Sequence, residues 1–373
     1  MGKSVTGRKA LFMVYHGLSA HSGISKKILS QSEALRECGF DVTLCSTIID
    51  EDGTRRRLCG DETLSNFGRG FKGKLGKALC FGDVCRYVEE NGIEFVYIRH
   101  NLNSSPATLR LVRRLRALGA KVALEIPTWP YDGEFKGQGL KMNAGLALDK
   151  LFRKPLMEAC SGVVLFTDED FPYNVPVIRI SNGIDFGKIP VCAPVERGGQ
   201  LRMLSVANIH LWHGLDRLIE GMGKAPEVDA VLHIVGDGLE DVISGYRARA
   251  EELGISDRVR ILGPMFGEEL DREFEWANVA VGSLGRHRSG IFDIKTLKNR
   301  EYAARGVPFF YSERDSDFEN APYIFKVPAD ESPVDVKALK DFLTSLQMDP
   351  SQIRESVRSL SWNAQMQKVV DLL

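Results

Sequence analysis

Apolar residues in this chain fall into short unbroken runs divided by longer mixed stretches, the pattern of strands buried on both faces and joined by helices. Leu11 to Tyr15, Phe40 to Ser46, Glu94 to Ile98, Lys121 to Glu125, Val163 to Thr167 and Val177 to Ser181 predict strands. A helix is expected from Ser25 to Cys38, closed by Gly39. Another carries Leu111, Leu115 and Leu118 on one side and Arg110, Arg113, Arg114 and Arg116 on the other. Asn182-Gly183 is a turn signal, and the Pro- and Gly-bearing stretch from Phe186 to Gly199 reads as a linker. Beyond it the pattern restarts, with strands Met203 to Ala207, Val231 to Val235 and Val259 to Leu262, and helices Leu215 to Met222 and Leu239 to Leu253. Val357 to Leu373 predicts an amphipathic terminal helix. The expected class is α/β, with two Rossmann-like domains facing a central cleft, residues 1–190 and 191–356, and a terminal helix over residues 357–373.

Composition narrows the function classes. A length of 373 residues exceeds one ordinary core, and 43% hydrophobic with 27% charged residues suits a globular protein. With 49 basic against 50 acidic residues, nothing global draws the chain to nucleic acid. Seven cysteines without C-x-x-C pairs point to reduced thiols in a cytoplasm rather than to disulfides or zinc. Leu11 to Tyr15 is too short for a signal segment or a membrane span.

The stretch most loaded with chemistry is Ser283 to Pro308. Thr296 to Arg305 reads as a helix, with Thr296 at its N-cap and Gly306 and Pro308 where it stops. A glycine-bearing loop (Gly282, Gly285, Gly290) feeds that helix, so backbone N–H groups, Lys295 and Lys298 gather at the positive end of the helix dipole. This predicts an anion site. Asp293 and Glu301 stand eight residues apart, one at the entrance and one within the helix, spaced to face one ligand.

Asp293-x7-Glu301 followed by Y-A-A-R-G-V-P resembles the hallmark of the retaining glycosyltransferase family 4 of the GT-B fold, with Asp where the family usually has Glu. The resemblance implies a donor, a UDP- or GDP-type sugar, whose diphosphate sits on the helix N-terminus near Thr296, whose ribose is held by Glu301 and whose sugar lies near Asp293. It also implies that Gly23, in the loop before the first helix, and Gly236 and Gly238, in V-G-D-G, approach the donor, that Met265 lies near the nucleobase, and that the terminal helix crosses back to the first domain. The family's usual Arg and Lys clamp is absent: Asn208 and His213 hold those places in A-N-I-H-L-W-H-G. Arg288, Lys295 and Lys298 are the expected replacements. W-H-G-x-D-R-L-I with L-K-x-R-E-Y matches a polysaccharide-type variant. No cofactor and no obligatory metal are implied.

Pro127 and Pro130 force E-I-P-T-W-P-Y-D-G-E into a loop at a strand's carboxyl end. Glu125 is a candidate catalytic residue there. Trp129, Tyr131 and Asp132 are candidates for binding an acceptor sugar, with an aromatic structural corner as the competing reading. Residues 54–77, with seven basic and two acidic residues, read either as a solvated face or as a peripheral contact with an anionic membrane. The expected activity is transfer of a hexosyl unit to a glycan or lipid-linked acceptor in cell-surface polysaccharide or glycoconjugate assembly, in the cytoplasm or peripherally at the inner membrane face. A GT-B epimerase and a non-catalytic binding subunit stay open as alternatives.

Overall fold

The computed structural model describes residues 7–19, 22–135 and 139–371. Ala20 and His21, within the loop expected to approach the donor, and the last two residues of the expected terminal helix lie outside them. The chain forms two compact units, Met1–Gly183 with Trp362–Leu373, and Ile184–Ser361. The chain therefore changes unit at Gly183 and again at Ser361, several residues from the expected positions 190 and 357.

The first unit is an eight-stranded sheet in the order β4-β3-β2-β1-β5-β6-β7-β8. Its strands are β1 (Arg8–Met13), β2 (Phe40–Ile49), β3 (Arg55–Cys59), β4 (Glu62–Gly68), β5 (Phe95–Arg99), β6 (Lys121–Ile126), β7 (Gly162–Leu165) and β8 (Val177–Arg179). Helices α1 (Gly23–Glu37), α2 (Gly70–Leu79), α3 (Gly82–Asn91), α4 (Pro106–Ala117), α5 (Asp132–Phe135) and α6 (Leu140–Ala159) connect them. β1 shows why apolar runs mark these strands: Leu11 and Met13 pack into the core beneath α3, α4 and α6, while Ala10 and Phe12 pack into the opposite core with Ile28 of α1. Both faces are covered, so both sets of alternating positions are apolar.

Residues 54–77 are not a loose basic run. β3 pairs antiparallel with β2 and β4, and α2 packs on both β3 and β4. The reason is local chemistry: Arg57 is fully buried, donating to Asp83 and to the carbonyls of Cys80 and Lys77, while Arg56 pairs with Asp50. A charged side chain thus enters the interior with its donors satisfied.

The second unit is a six-stranded parallel sheet, β11-β10-β9-β12-β13-β14. Its strands are β9 (Leu201–Val206), β10 (Ala230–Val235), β11 (Val259–Gly263), β12 (Val279–Val281), β13 (Phe309–Tyr311) and β14 (Ile324–Lys326). Its helices are α7 (Leu215–Lys224), α8 (Glu240–Glu252), α9 (Glu268–Trp276), α10 (Leu297–Arg305), α11 (Val336–Ser345) and α12 (Pro350–Ser356). The expected terminal helix is two pieces, a 3₁₀ turn at Arg358–Leu360 and α13 (Trp362–Asp371), which packs on α1 in the first unit. No described helix is long and apolar enough to cross a membrane.

Candidate active site

In the second unit the carboxyl ends of β9, β12 and β13 converge on the N-terminus of α10. Two features fix that convergence. Tyr302, fully buried in α10, donates from its hydroxyl to Val281 O (3.1 Å) and accepts from Val206 N–H (3.3 Å). Arg300, equally buried, pairs with Asp315 and Asp317 in the loop after β13. The loop after β12 is then laced on both sides. Leu284 N–H donates to His213 O (2.9 Å) and Gly285 N–H to Trp212 O (3.2 Å), while Ser312 N–H donates to Ser283 O (3.0 Å).

The cradle so formed is poor in internal partners. Thr296 is the N-cap residue of α10, yet its hydroxyl makes no capping bond, so the first N–H groups of the helix are left to another acceptor. Among the described residues, Lys298 Nζ, Ser283 Oγ, both polar atoms of Asn299, and both carboxylate oxygens of Glu313 are buried without a hydrogen-bond partner. Native interiors satisfy nearly all such groups, and a concentration of orphans at one helix N-terminus is the mark of a site built for a polar ligand. Burial holds Lys298 well below the ordinary lysine range, with Glu313 opposing and Arg286 adding to the shift. Burial pushes the Glu313 carboxyl up.

His213 lies in this cradle and is neutral. Burial, then Lys298, then Arg286 drive its imidazole far below the usual histidine value. Its Nδ1 accepts from His210 N–H (3.0 Å), so the neutral ring carries its proton on Nε2 and offers one donor there. At the place of the family's cationic clamp residue, His213 therefore offers a neutral donor rather than a charge. Arg288 is corrected too. It is bound to Asp216 through both terminal nitrogens (2.9 and 2.7 Å) and to Glu331, which raise its basicity, Glu331 foremost. Arg286, which the sequence did not single out, is the arginine of the cradle, its guanidinium 5.3 Å from the centre of the Trp212 ring and acting on His213, Lys298 and Glu313. Arg286 and Arg288 share one 3₁₀ turn, in which residues two apart leave the axis in different directions.

The remaining predicted residues divide. Lys295 is turned to Asp317, 3.8 Å away, in the Arg300 network. Asp293 pairs with Arg314. One oxygen of Glu301 accepts from Arg305 (3.0 Å), and the carboxylate is half-exposed. Asn208 is exposed and Met265 half-buried. Gly236 and Gly238 serve the backbone rather than a ligand: a Cβ on Gly238 would come within 2.2 Å of Ile209 O, and one on Gly236 within 1.8 Å of Ala207 O. They let the turn after β10 lie against the loop after β9.

In the first unit a cavity of about 630 Å³ opens at the carboxyl ends of β1, β5 and β6, lined by His16, Ser22, Arg99, His100, Thr128 and Tyr131 among others. Gly23 begins α1 beside it, exposed. Glu125 does not reach it. Its side chain is fully buried, accepting from Gln31 Nε2 (2.6 Å) and the Tyr97 hydroxyl (2.6 Å) and paired with Arg99 and Lys27. Desolvation raises its pKa, but Lys27 and Arg99 outweigh that and hold it low. The expected catalytic Glu125 is thus a closed ion cluster beneath the cavity. Trp129 is no sugar platform either: it is buried, donates from its indole N–H to Asp170 O (3.0 Å), and packs edge-on against Phe171, Tyr173 and Tyr131. Asp132 is held by Lys150 and Arg153, and the Tyr131 hydroxyl donates to Asp149 (2.8 Å). Of this loop Pro127, Thr128 and Tyr131 line the cavity, and of the three residues expected to bind an acceptor only Tyr131 is among them.

No protein-family model matches this chain, and no curated protein matches it in sequence. Solved structures do match in fold. Sucrose-phosphate synthase of Thermosynechococcus elongatus superposes with a TM-score of 0.63 at 15% identity, covering 98% of each chain. HepE of Anabaena, solved with UDP, gives 0.62 at 12% identity over 97% of this chain and 98% of its own. The lipopolysaccharide outer core galactosyltransferase WaaB gives 0.63 at 12% identity over 98% of each. The fold is the GT-B fold of these glycosyltransferases, with two Rossmann-like parallel-sheet domains.

Proposed function

We propose that this chain is a retaining glycosyltransferase of the family 4 type, moving a hexosyl unit from a nucleoside diphosphate sugar to a glycan or glycolipid acceptor in cell-surface polysaccharide or glycoconjugate assembly. The observation that carries the reading is the unsatisfied cradle at the N-terminus of α10, where Lys298 Nζ, the uncapped N–H groups and the neutral His213 point to a diphosphate. Similar folds have been solved with UDP or ADP, which fits that ligand.

In this reading the bond between the anomeric carbon and the diphosphate oxygen breaks as a bond to the acceptor hydroxyl forms on the same face, and the hydroxyl proton passes to the diphosphate. Negative charge grows on the leaving group. Lys298, Arg286 and the helix N–H groups are placed to carry it, and such fixed donors in a water-poor site are the largest contribution expected. Arg286 and Lys298 supply the two cations missing at Asn208 and His213, which favours a working enzyme over a binding subunit. Glu301 has an oxygen left over from Arg305 for the ribose hydroxyls. Asp293 orients the donor sugar, and the first unit's cavity takes the acceptor. The proposed chemistry rests on these groups and needs no metal.

Glu301→Ala is expected to weaken nucleoside diphosphate binding by about 1.5–3 kcal/mol, the usual worth of charge-assisted hydrogen bonds. Calorimetric titration of the folded variant checks this, and unchanged affinity removes Glu301 from the site. The function itself is tested by a thermal-shift screen of UDP- and GDP-sugars, in which a donor at a hundred times its Kd adds about 2.7 kcal/mol of stability. The stabilising donor is then followed by NMR with glycan acceptors. Transfer with the donor's anomeric configuration kept supports the proposal. Inverted product, or epimerised donor without transfer, replaces it.

A further inference from the structure

We propose that the face of the first unit formed by α2, α4 and α6 lies on an anionic lipid surface. This stands on the packing of that unit and is independent of the reading of the second unit's cradle. α2 is amphipathic in the reverse of the usual sense. Its glycines face the protein: a Cβ on Gly73 would lie 2.3 Å from Gly68 O, and one on Gly76 3.1 Å from the Phe67 ring. Its large apolar side chains face out, with Phe71 78%, Leu75 47% and Leu79 51% exposed. At positions i, i+4 and i+8 these form one stripe, and the exposed Lys72 and Lys74 fall on either side of it. A helix packed to stabilise a monomer would bury that stripe.

Two neighbouring helices extend the same chemistry, while α3, which also packs on α4, exposes Arg86, Glu89 and Glu90. α4 packs beside α2 and α6 beside α4. α2 and α4 contain no acidic residue, and α4 exposes Arg110, Arg113 and Arg114. α6 carries a second outward apolar stripe, Leu140 (90% exposed), Leu148 (46%) and Leu151 (70%), with Lys141 and Lys154 exposed beside it. Of its two acidic residues, Asp149 is buried against His100 and Arg153 and the exposed Glu158, near the helix end, accepts from Asn174 N–H (3.2 Å), while Lys150 is drawn to Asp132.

Charge selects the occupant. A second copy meeting this face through a two-fold axis would set arginines and lysines against their own kind. Apolar tips flanked by long basic side chains instead match a lipid interface, where the tips enter the acyl boundary and the cations stay among anionic headgroups. The apolar reach is that of a peripheral contact, since no described helix can span.

The test is co-sedimentation of the full chain with vesicles of phosphatidylcholine alone or of equimolar phosphatidylcholine and phosphatidylglycerol. Binding to the anionic vesicles only, reversed by high salt, is expected. Each basic side chain near such a surface contributes about fivefold to partition, so Lys72→Glu with Lys74→Glu is expected to lower it by about 25-fold or more. Phe71→Ser with Leu75→Ser is expected to lose binding while circular dichroism and melting temperature stay unchanged, because both side chains already face solvent. Absence of binding, equal binding to neutral vesicles, or full binding by both folded variants overturns the proposal. So does a dimer in sedimentation velocity that Phe71→Ser dissociates, which would assign the face to a second copy.

Discussion

Lys298→Ala lowers nucleoside diphosphate affinity by about 10- to 150-fold, the equivalent of losing one charge-assisted hydrogen bond of about 1.5–3 kcal/mol. The same substitution leaves the unliganded protein as stable as before or more so. Its ammonium is buried without a hydrogen-bond partner, beside a carboxyl that burial already pushes toward its neutral form. Removing a strained cation relieves the apo fold while it removes the ligand's counter-charge, the trade expected where function and stability compete for one side chain. Thermal melts with and without UDP separate the two effects. A lower apo melting temperature with unchanged affinity would make Lys298 a structural residue.

Glu125→Ala has the opposite signature. It leaves Lys27 and Arg99 facing a cavity where a carboxylate stood, and breaking a buried ion pair from one side costs about 3–5 kcal/mol. The loss should appear in urea or thermal unfolding of the first unit, whereas nucleoside diphosphate affinity in the surviving folded protein stays at the wild-type value. The pH dependence has a definite sign. Glu125 is held below the ordinary carboxylate value, so its contribution is present above the unfolded pKa and is lost as pH falls through the folded one. A Glu125→Ala protein of wild-type stability but without turnover would return Glu125 to the catalytic residues.

The difference between these two carboxyl and ammonium groups explains how much the sequence reveals. Unbroken apolar runs such as Val163 to Leu165 marked the central strands, which are covered on both faces, whereas the polar-rich edge strands β3 and β4 and the three-residue strands β12, β13 and β14 did not stand out in the pattern. The helix starting after Thr296 and ending at Gly306 was legible because its composition and the left-handed glycine that stops it are local signals, although Thr296 makes no capping bond. Direction was not. Glu125 and Trp129 stand in a loop-bearing stretch that suits a ligand, yet Lys27, from α1, and Phe171 and Tyr173, beyond β7, close around them. Glu313 completes the cradle from Y-S-E-R, which has no motif to mark it. Arg286 and Arg288 are chemically identical in the sequence, and only the turn decides which faces the cradle. The pattern of residues 54–77 was visible as charge, but that Arg57 is inside and Phe71 outside follows from the pairing of β3 with β2 and the glycine-faced packing of α2.

The account rests on the cradle at α10 holding a diphosphate through Lys298 and Arg286 rather than Arg288. Calorimetric titration of UDP, ADP and GDP into the wild type, Lys298→Ala and Arg288→Ala over a pH series tests this most directly. One nucleoside diphosphate should bind the wild type at a single site, with affinity declining as pH rises through the depressed Lys298 pKa, because only the protonated amine pairs with the anion. Arg288→Ala should bind as the wild type does, and Lys298→Ala should bind weakly with that pH dependence gone. Failure of all three nucleotides to bind the wild type, or loss of binding in Arg288→Ala with full binding in Lys298→Ala, would contradict the account.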